Sequence, residues 1–208
     1  MITKAKQLLA LFLFDSKAVK FGKFRLKLHD RIPDAPLSPI YIDLRILRSF
    51  PEIMDSITDV YNELTKGLKF DLYADVPTAA TPIVSILSYK NRIPMITPRK
   101  EGKGHGIKRR IDGVFREGQV VLLVDDLVTL ADSKFEAISL LEENGLKVHD
   151  VAVLINREQG GVRELEKRGY ACHVAYQLRE LLRFYLEVGK IGTDQYWKTV
   201  AYLEKSQF

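Results

Sequence analysis

Residues 119–133 read QVVLLVDDLVTLADS. Residues 120–124 form an unbroken apolar run, the pattern of a strand buried on both faces. Two carboxylates, Asp125 and Asp126, follow it, and residues 127–132 read as a short loop. Ser133 is expected to open a helix, because Ser133 with Glu136 makes a capping box and Phe135, Ile138 and Leu141 recur at helical spacing. Gly145 suits the helix stop. Such a strand end, acidic pair and helix start can together take a sugar phosphate. Backbone N–H groups at the helix start hold the phosphate. The carboxylates accept from ribose hydroxyls, directly or through Mg2+ and its waters. The same pattern also fits an ordinary surface turn between strand and helix.

Outward from this stretch, strand-like runs recur at 70–76, 93–97, 151–156 and 171–176. Helical segments at about 79–90, 133–144 and 161–168 lie between most of them. Alternating strands and helices predict an α/β fold with a mostly parallel twisted sheet covered on both faces. Ligands in such sheets sit at the C-terminal ends of the strands. Residues 2–14 read as a helix. Residues 19–28, VKFGKFRLKL, alternate apolar and basic residues as a strand with one solvated face does. Pro33, Pro36 and Pro39 mark 29–39 as a loop. SPIYIDLR (38–45) is a second short strand, and 51–66 is a helix with Ile53, Ile57, Val60, Tyr61 and Leu64 at its spacing. Residues 178–188 and 193–205 read as two closing helices. The whole chain, 1–208, is expected to be one domain: an N-terminal helix and hood strands to about 45, an α/β core over 46–176, and C-terminal helices over 177–208.

Composition agrees with that reading. Of 208 residues, 46% are apolar and 10% aromatic, enough for a full core, and 28% are charged, which argues against disorder. The net charge of +5 suits a polyanionic small substrate as well as nucleic acid. A single cysteine, Cys172, excludes an internal disulfide and fits a reducing cytoplasm. The apolar run 8–14 follows Lys4 and Lys6 but is too short to span a bilayer and has no small-residue cleavage site after it. A packed N-terminal helix is expected there, and no membrane association.

Three further strand ends carry possible chemistry. Residues 75–82, DVPTAATP, form a proline-bearing turn with Thr78 and Thr81 that can offer N–H groups to an anion, or simply cap a helix. Residues 99–106, RKEGKGHG, pack Arg99, Lys100, Lys103 and His105 among three glycines, and Lys108, Arg109 and Arg110 extend the charge. A mobile cationic loop suits a lid over a polyanion; it equally suits a solvated surface loop. Against nucleic acid, no aromatic residues interleave with these cations. Residues 155–161, INREQGG, place Arg157 at a strand end, where its fork can take a carboxylate bidentately or remain solvated.

VVLLVDDLVTLADS resembles the phosphoribosyl-diphosphate (PRPP) motif of type I phosphoribosyltransferases through Thr129. It then departs, with Leu130, Ala131 and Asp132 where that group has a Thr-Gly-Gly-like loop. RKEGKGHG, LINREQGG and SPIYIDLR, with FGKFRLK and IPMITPRK, resemble orotate phosphoribosyltransferases, including the corresponding domain of UMP synthase. The resemblance covers roughly residues 10–205. RKEGKGHG paired with REQGG separates this family from other phosphoribosyltransferases.

The resemblance implies a type I phosphoribosyltransferase fold and transfer of ribosyl 5-phosphate from PRPP to orotate, giving orotidine 5′-monophosphate and diphosphate. It implies catalytic roles for Lys103, His105, Asp125 and Asp126. PRPP would be held by Lys27, Val76, Pro77, Thr78, Arg99, Lys100, Lys103, His105, Asp125, Asp126, Leu127, Val128, Thr129, Leu130, Ala131, Asp132 and Ser133. Orotate would meet Lys27, Tyr41, Ile42, Thr129 and Arg157, with Arg157 on its carboxylate. Mg2+ is expected with the diphosphate, and a homodimer in which loop 99–110 reaches the partner's site. Residues 29–37 replace the short Ser-Gly turn usual after the matching lysine, Lys27. An inward Asp132 would repel the 5′-phosphate by about 4 kcal/mol per charge pair at 4 Å and intermediate dielectric. An outward Asp132, capping the helix beside Ser133 with Lys134 offsetting its charge, is the expected pose. The alternatives are a catalytically weak regulatory or nucleic-acid-binding protein on the same fold, and a phosphoribosyltransferase for another base.

Overall fold

In a computed structural model that describes residues 3–30, 33–99 and 110–206, with 27 and 28 described by their backbone alone, the elements alternate as the periodicities predict. In order they are α1 (Lys4–Asp15), β1 (Val19–Phe24), β2 (Ser38–Ile42), α2 (Pro51–Leu64), β3 (Leu72–Asp75), α3 (Thr81–Asn91), β4 (Met95–Pro98), β5 (Ile111–Asp112), β6 (Val120–Val128), α4 (Asp132–Glu143), β7 (Lys147–Asn156), α5 (Gly161–Lys167), β8 (Ala171–Gln177), α6 (Leu178–Glu187) and α7 (Thr193–Lys205). β1 and β2 pair antiparallel as a separate hood. The main sheet has the order β5-β4-β3-β6-β7-β8, parallel except for the β4–β5 edge.

The unbroken apolar run of β6 has a direct cause. Side chains alternate across the sheet, and both faces are covered. Leu122 and Val124 enter a cluster shared with α1, α2, α3 and α6, whereas Val121 and Leu123 enter a second one shared with α4. All four are fully buried, each contributing about 1.5–3 kcal/mol relative to exposure. The 8–14 run behaves as a packed helix should: Leu9, Ala10 and Leu13 are buried, and Leu8 is left outside. No helix among the described residues is long and apolar enough to cross a membrane.

Several expected boundaries move. β6 does not end at Val124 but continues through Val128, because Leu127 and Val128 pair with Ile155 and Asn156 of β7. The acidic pair therefore lies within the strand, and the loop shrinks to 129–131. Ser133 does not open α4 and no capping box caps it. The helix begins at Asp132, preceded by Ala131 in a left-handed conformation (φ 68°) that supplies no side-chain cap. The strand expected over 19–28 stops at Phe24, and Lys27–Asp30 is a 3-10 turn. Likewise 38–45 is strand only to Ile42, after which Leu44–Ser49 winds as 3-10 helix and buries Leu44 and Leu47. The short antiparallel edge strand β5 was not foreseen.

Candidate active site

Strand order reverses between β3 and β6. The chain leaves β3 towards β4 on one side and leaves β6 towards β7 and β8 on the other, which opens a crevice at their C-terminal ends. Asp75 sits beside Val124 in register, and the Val76 N–H donates to Val124 O at 3.1 Å. The turn after β3 and the acidic stretch of β6 therefore border one cleft of about 570 Å³, roofed by β2 of the hood. Of the expected site residues, Tyr41, Ile42, Val76, Pro77, Thr78, Asp125, Asp126, Leu127, Thr129, Leu130, Ala131, Asp132, Ser133 and Arg157 line it. Val128 is buried behind it.

The two acids differ in surroundings. Asp125 is buried and saturated: Oδ1 accepts from the Asp126 N–H at 2.9 Å, and Oδ2 is ion-paired with Lys134 Nζ. The Tyr61 hydroxyl of α2 donates to the Asp125 carbonyl at 2.6 Å, fixing the strand from the other face. Burial, with Asp126 and Asp125 close by, pushes the Tyr61 hydroxyl well above its ordinary range, so it stays a donor. Asp126 is partly exposed, and its Oδ1 accepts from the Leu127 N–H at 2.8 Å. Desolvation and the neighbouring Asp125 carboxylate push its carboxyl up to about 8, against the opposing charge of Lys134. Lys134 thus serves Asp125, not Asp132 as the sequence suggests.

The loop between β6 and α4 is held by contacts that periodicity does not reveal. The Gly161 N–H donates to Thr129 O at 2.9 Å, and the Arg157 N–H to Val128 O at 2.9 Å. A Cβ at Gly161 would stand 2.6 Å from Thr129 O, 2.7 Å from Val128 Cγ2 and 3.0 Å from Ala131 N. Gly161→Ala is therefore expected to displace the loop and cost about 1–3 kcal/mol. A fall in Tm of roughly 3–10 °C by calorimetry is the check, and an unchanged Tm would deny this close approach. Asp132 is the first residue of α4 rather than a cap before it, and it borders the cleft.

Across the crevice, Asp75 is buried and accepts from the hydroxyls of Thr81 at the start of α3 and Thr97 in β4. This fixes the turn 76–80, whose Pro77–Thr78 peptide is cis. Arg48, in the 3-10 segment after β2, donates to Thr78 O at 2.7 Å and ties the turn to the hood.

Arg157, immediately after β7, also lines the cleft. A loop arginine is usually solvated, yet this one is 4% exposed. Its Nε donates to Gln159 Oε1 at 3.2 Å and its Nη2 to Ser38 Oγ at 3.4 Å, both neutral. Burial lowers its pKa, but a guanidinium remains charged. Tyr41 stacks at 5.5 Å from Phe24, and its hydroxyl accepts from Arg45 Nη2 at 2.9 Å, while Arg45 Nε binds Asp43 at 2.8 Å. A flat polar ring between Tyr41 and Arg157 would find an apolar wall and a fixed cation.

Arg99 does not line the cleft. It hydrogen-bonds Asp112 of β5 at 3.3 Å, at the root of the cationic loop. Lys100, Lys103 and His105 lie outside the described residues, as does the side chain of Lys27. Sequence reading gave Tyr61 only a place on a helix's apolar face, Asp75 only a place in a turn, and Lys134 only the charge of Asp132. Lys134 did carry a signal: it begins the i, i+3, i+4, i+7 stripe with Ala137, Ile138 and Leu141, all buried.

No protein-family profile matches the chain. It is 35% identical over 188 residues to the bifunctional enzyme PyrF/PyrE of Nostoc sp., covering 90% of this chain and 38% of that one. It is 33% identical over 194 residues to the orotate phosphoribosyltransferase of Pyrobaculum aerophilum, covering 93% and 96%. The Leishmania donovani UMP synthase structure superposes with a TM-score of 0.86 at 36% identity, over 97% of this chain and 42% of that one. The chain spans about two fifths of the length of the bifunctional relatives it matches. Nearly all of the Pyrobaculum enzyme is covered, and the order of acidic strand, phosphate-type loop and buried arginine is the one the motifs imply. The chain belongs to the orotate phosphoribosyltransferase family.

Proposed function

We propose that this chain transfers the ribosyl 5-phosphate of PRPP to N1 of orotate, giving orotidine 5′-monophosphate and diphosphate in UMP biosynthesis. The observation that carries the reading is Arg157, a buried guanidinium whose hydrogen bonds run to the neutral Gln159 and Ser38, lining the same cleft as the N-terminus of α4. A buried cation calls for an anion. A carboxylated ring at Arg157 and a phosphate at α4 would set the ribose between them, beside Asp126.

In the reaction the bond from C1′ to the diphosphate oxygen breaks, and the leaving group takes the electron pair. The bond from N1 of orotate to C1′ forms as the N1–H bond breaks, its proton passing to water or to the departing diphosphate. Positive charge builds at C1′ meanwhile, and the acidic pair stabilises it electrostatically. The turn 76–78 and the cations Lys100, Lys103 and His105 would receive the diphosphate, with Arg99 at the root of their loop. Among the described residues no cluster of three or more metal-ligating side chains exists. Mg2+ would arrive on the substrate, held by its oxygens and water, where it would offset diphosphate charge. Loss of orotate absorbance on mixing protein, PRPP and Mg2+ tests the reading. An inert mixture, or turnover of another base in place of orotate, overturns it.

The same reading includes a two-fold homodimer in which Lys103 and His105 act in the partner's site, with Gly102, Gly104 and Gly106 supplying reach. Lys103→Ala and the double variant Asp125→Asn, Asp126→Asn should each be inactive. Dissociated together and allowed to reassort, they should return about a quarter of wild-type activity: about half the dimers are mixed, and each has one intact site. A mixed dimer that forms but stays inactive would place the loop in its own chain's site.

A further inference from the structure

We propose that Lys134 is a positioning residue of the acidic pair: by holding Asp125 and the Leu127 carbonyl, it leaves Asp126 as the carboxylate offered to the ribose. This rests on the transferase reading above.

The location of Lys134 is physically costly. It is 3% exposed, whereas lysines ordinarily run their stems along the surface and keep the ammonium in water. It lies in the first turn of α4, the end where the helix dipole disfavours a cation. Two bonds offset these penalties. Nζ pairs with Asp125 Oδ2 and donates to Leu127 O. The second bond joins the start of α4 to the end of β6 and closes the short loop 129–131 from beneath.

The consequence for the acids is specific. Both oxygens of Asp125 are engaged, one by Lys134 and one by the Asp126 N–H, so this carboxylate is fixed and its charge matched. Both acids line the cleft, but Asp125 is buried and Asp126 is the partly exposed member. Without Lys134, Asp125 would become an uncompensated buried anion beside Asp126, at the place where a substrate carrying several negative charges must enter.

A double-variant cycle tests this, with PRPP binding in Mg2+ followed by titration calorimetry on the full chain and orotate KM followed by absorbance. Lys134→Met should weaken PRPP binding by at least about tenfold and alter the orotate KM by less than about threefold. In an Asp125→Asn background the same change should alter PRPP affinity by less than about threefold, because the charge it compensates has gone. Equal effects in both backgrounds, unchanged PRPP affinity in folded Lys134→Met, or equal losses for both substrates would overturn the proposal. If Lys134→Met does not fold, Lys134→Gln, which keeps a donor for Leu127 O but no charge, enters the same cycle. A wild type that binds PRPP but consumes no orotate overturns the transferase reading, while the calorimetric cycle still decides Lys134.

Discussion

Arg157→Ala is expected to raise the orotate KM by roughly 30- to 1000-fold while leaving PRPP affinity nearly unchanged. The range follows from losing a charge-assisted bidentate contact of about 2–4 kcal/mol. The structure adds two reasons for placing this effect at the orotate end. The guanidinium is buried and its hydrogen bonds run to Gln159 Oε1 and Ser38 Oγ, so a carboxylate would meet a cation already desolvated and held in orientation. Its tie to the loop before α4 also runs through its backbone N–H, which donates to Val128 O at 2.9 Å and which alanine keeps, so removing the side chain leaves the phosphate loop tethered. Arg157→Lys retains charge but not the planar fork, and should recover only part of the loss. Steady-state kinetics with each substrate varied in turn is the measurement. Parallel losses for orotate and PRPP would mean that Arg157 supports the fold and does not bind orotate.

The frame of this protein was legible because its strands are buried on both faces. An apolar run such as 120–124 needs cover on two sides, and the intervening helical periods supply it. Boundaries were less legible, for local reasons. Asp125 and Asp126 look like the end of a strand because carboxylates seldom lie in a core. Here Lys134 and two backbone N–H groups satisfy them, so β6 continues. The 3-10 turns after β1 and β2 follow from tertiary packing: Leu44 and Leu47 are buried under the hood, and no short-range period announces them. Arg157 reads from sequence as a solvated loop residue, since nothing near it in the chain shows that Ser38 of the hood will close over it.

The departure at 130–132 is supported by the elements around it. Ala131 adopts φ 68°, a conformation that glycine takes freely and alanine at a cost of about 1 kcal/mol. The loop is held in spite of that by Gly161 on one side and Lys134 on the other. Rigidity thus comes from neighbouring elements and not from glycines within the loop. Asp132 at the first position of α4 sits favourably in the dipole of its own helix, which is a reason for an acid there that is independent of substrate.

Asp126→Asn is expected to lower kcat by about 10²- to 10³-fold and, in the same protein, to raise stability. The first effect follows from removing the carboxylate that faces the charge developing at C1′. The second follows from the cost of that carboxylate in the unliganded fold. Desolvation and Asp125 raise its pKa to about 8 from an ordinary 3.8. Between these values the folded state binds more protons than the unfolded chain, so stability falls as pH rises from about 4 to about 8 and stays low above it. Asparagine does not ionise and keeps the shape, so it escapes this loss. A gain of at least about 1 kcal/mol, or about 2–4 °C in Tm, is expected at pH 8.5, short of the ~5–6 kcal/mol of the full shift because Asp126 is partly exposed, and it shrinks towards zero near pH 4. Melting curves of both proteins across that range, beside turnover at pH 8, measure the two effects together. A variant that loses activity without gaining stability at high pH would show that the unliganded fold bears no charge penalty at Asp126. A variant that gains stability and keeps its turnover would remove Asp126 from the reaction.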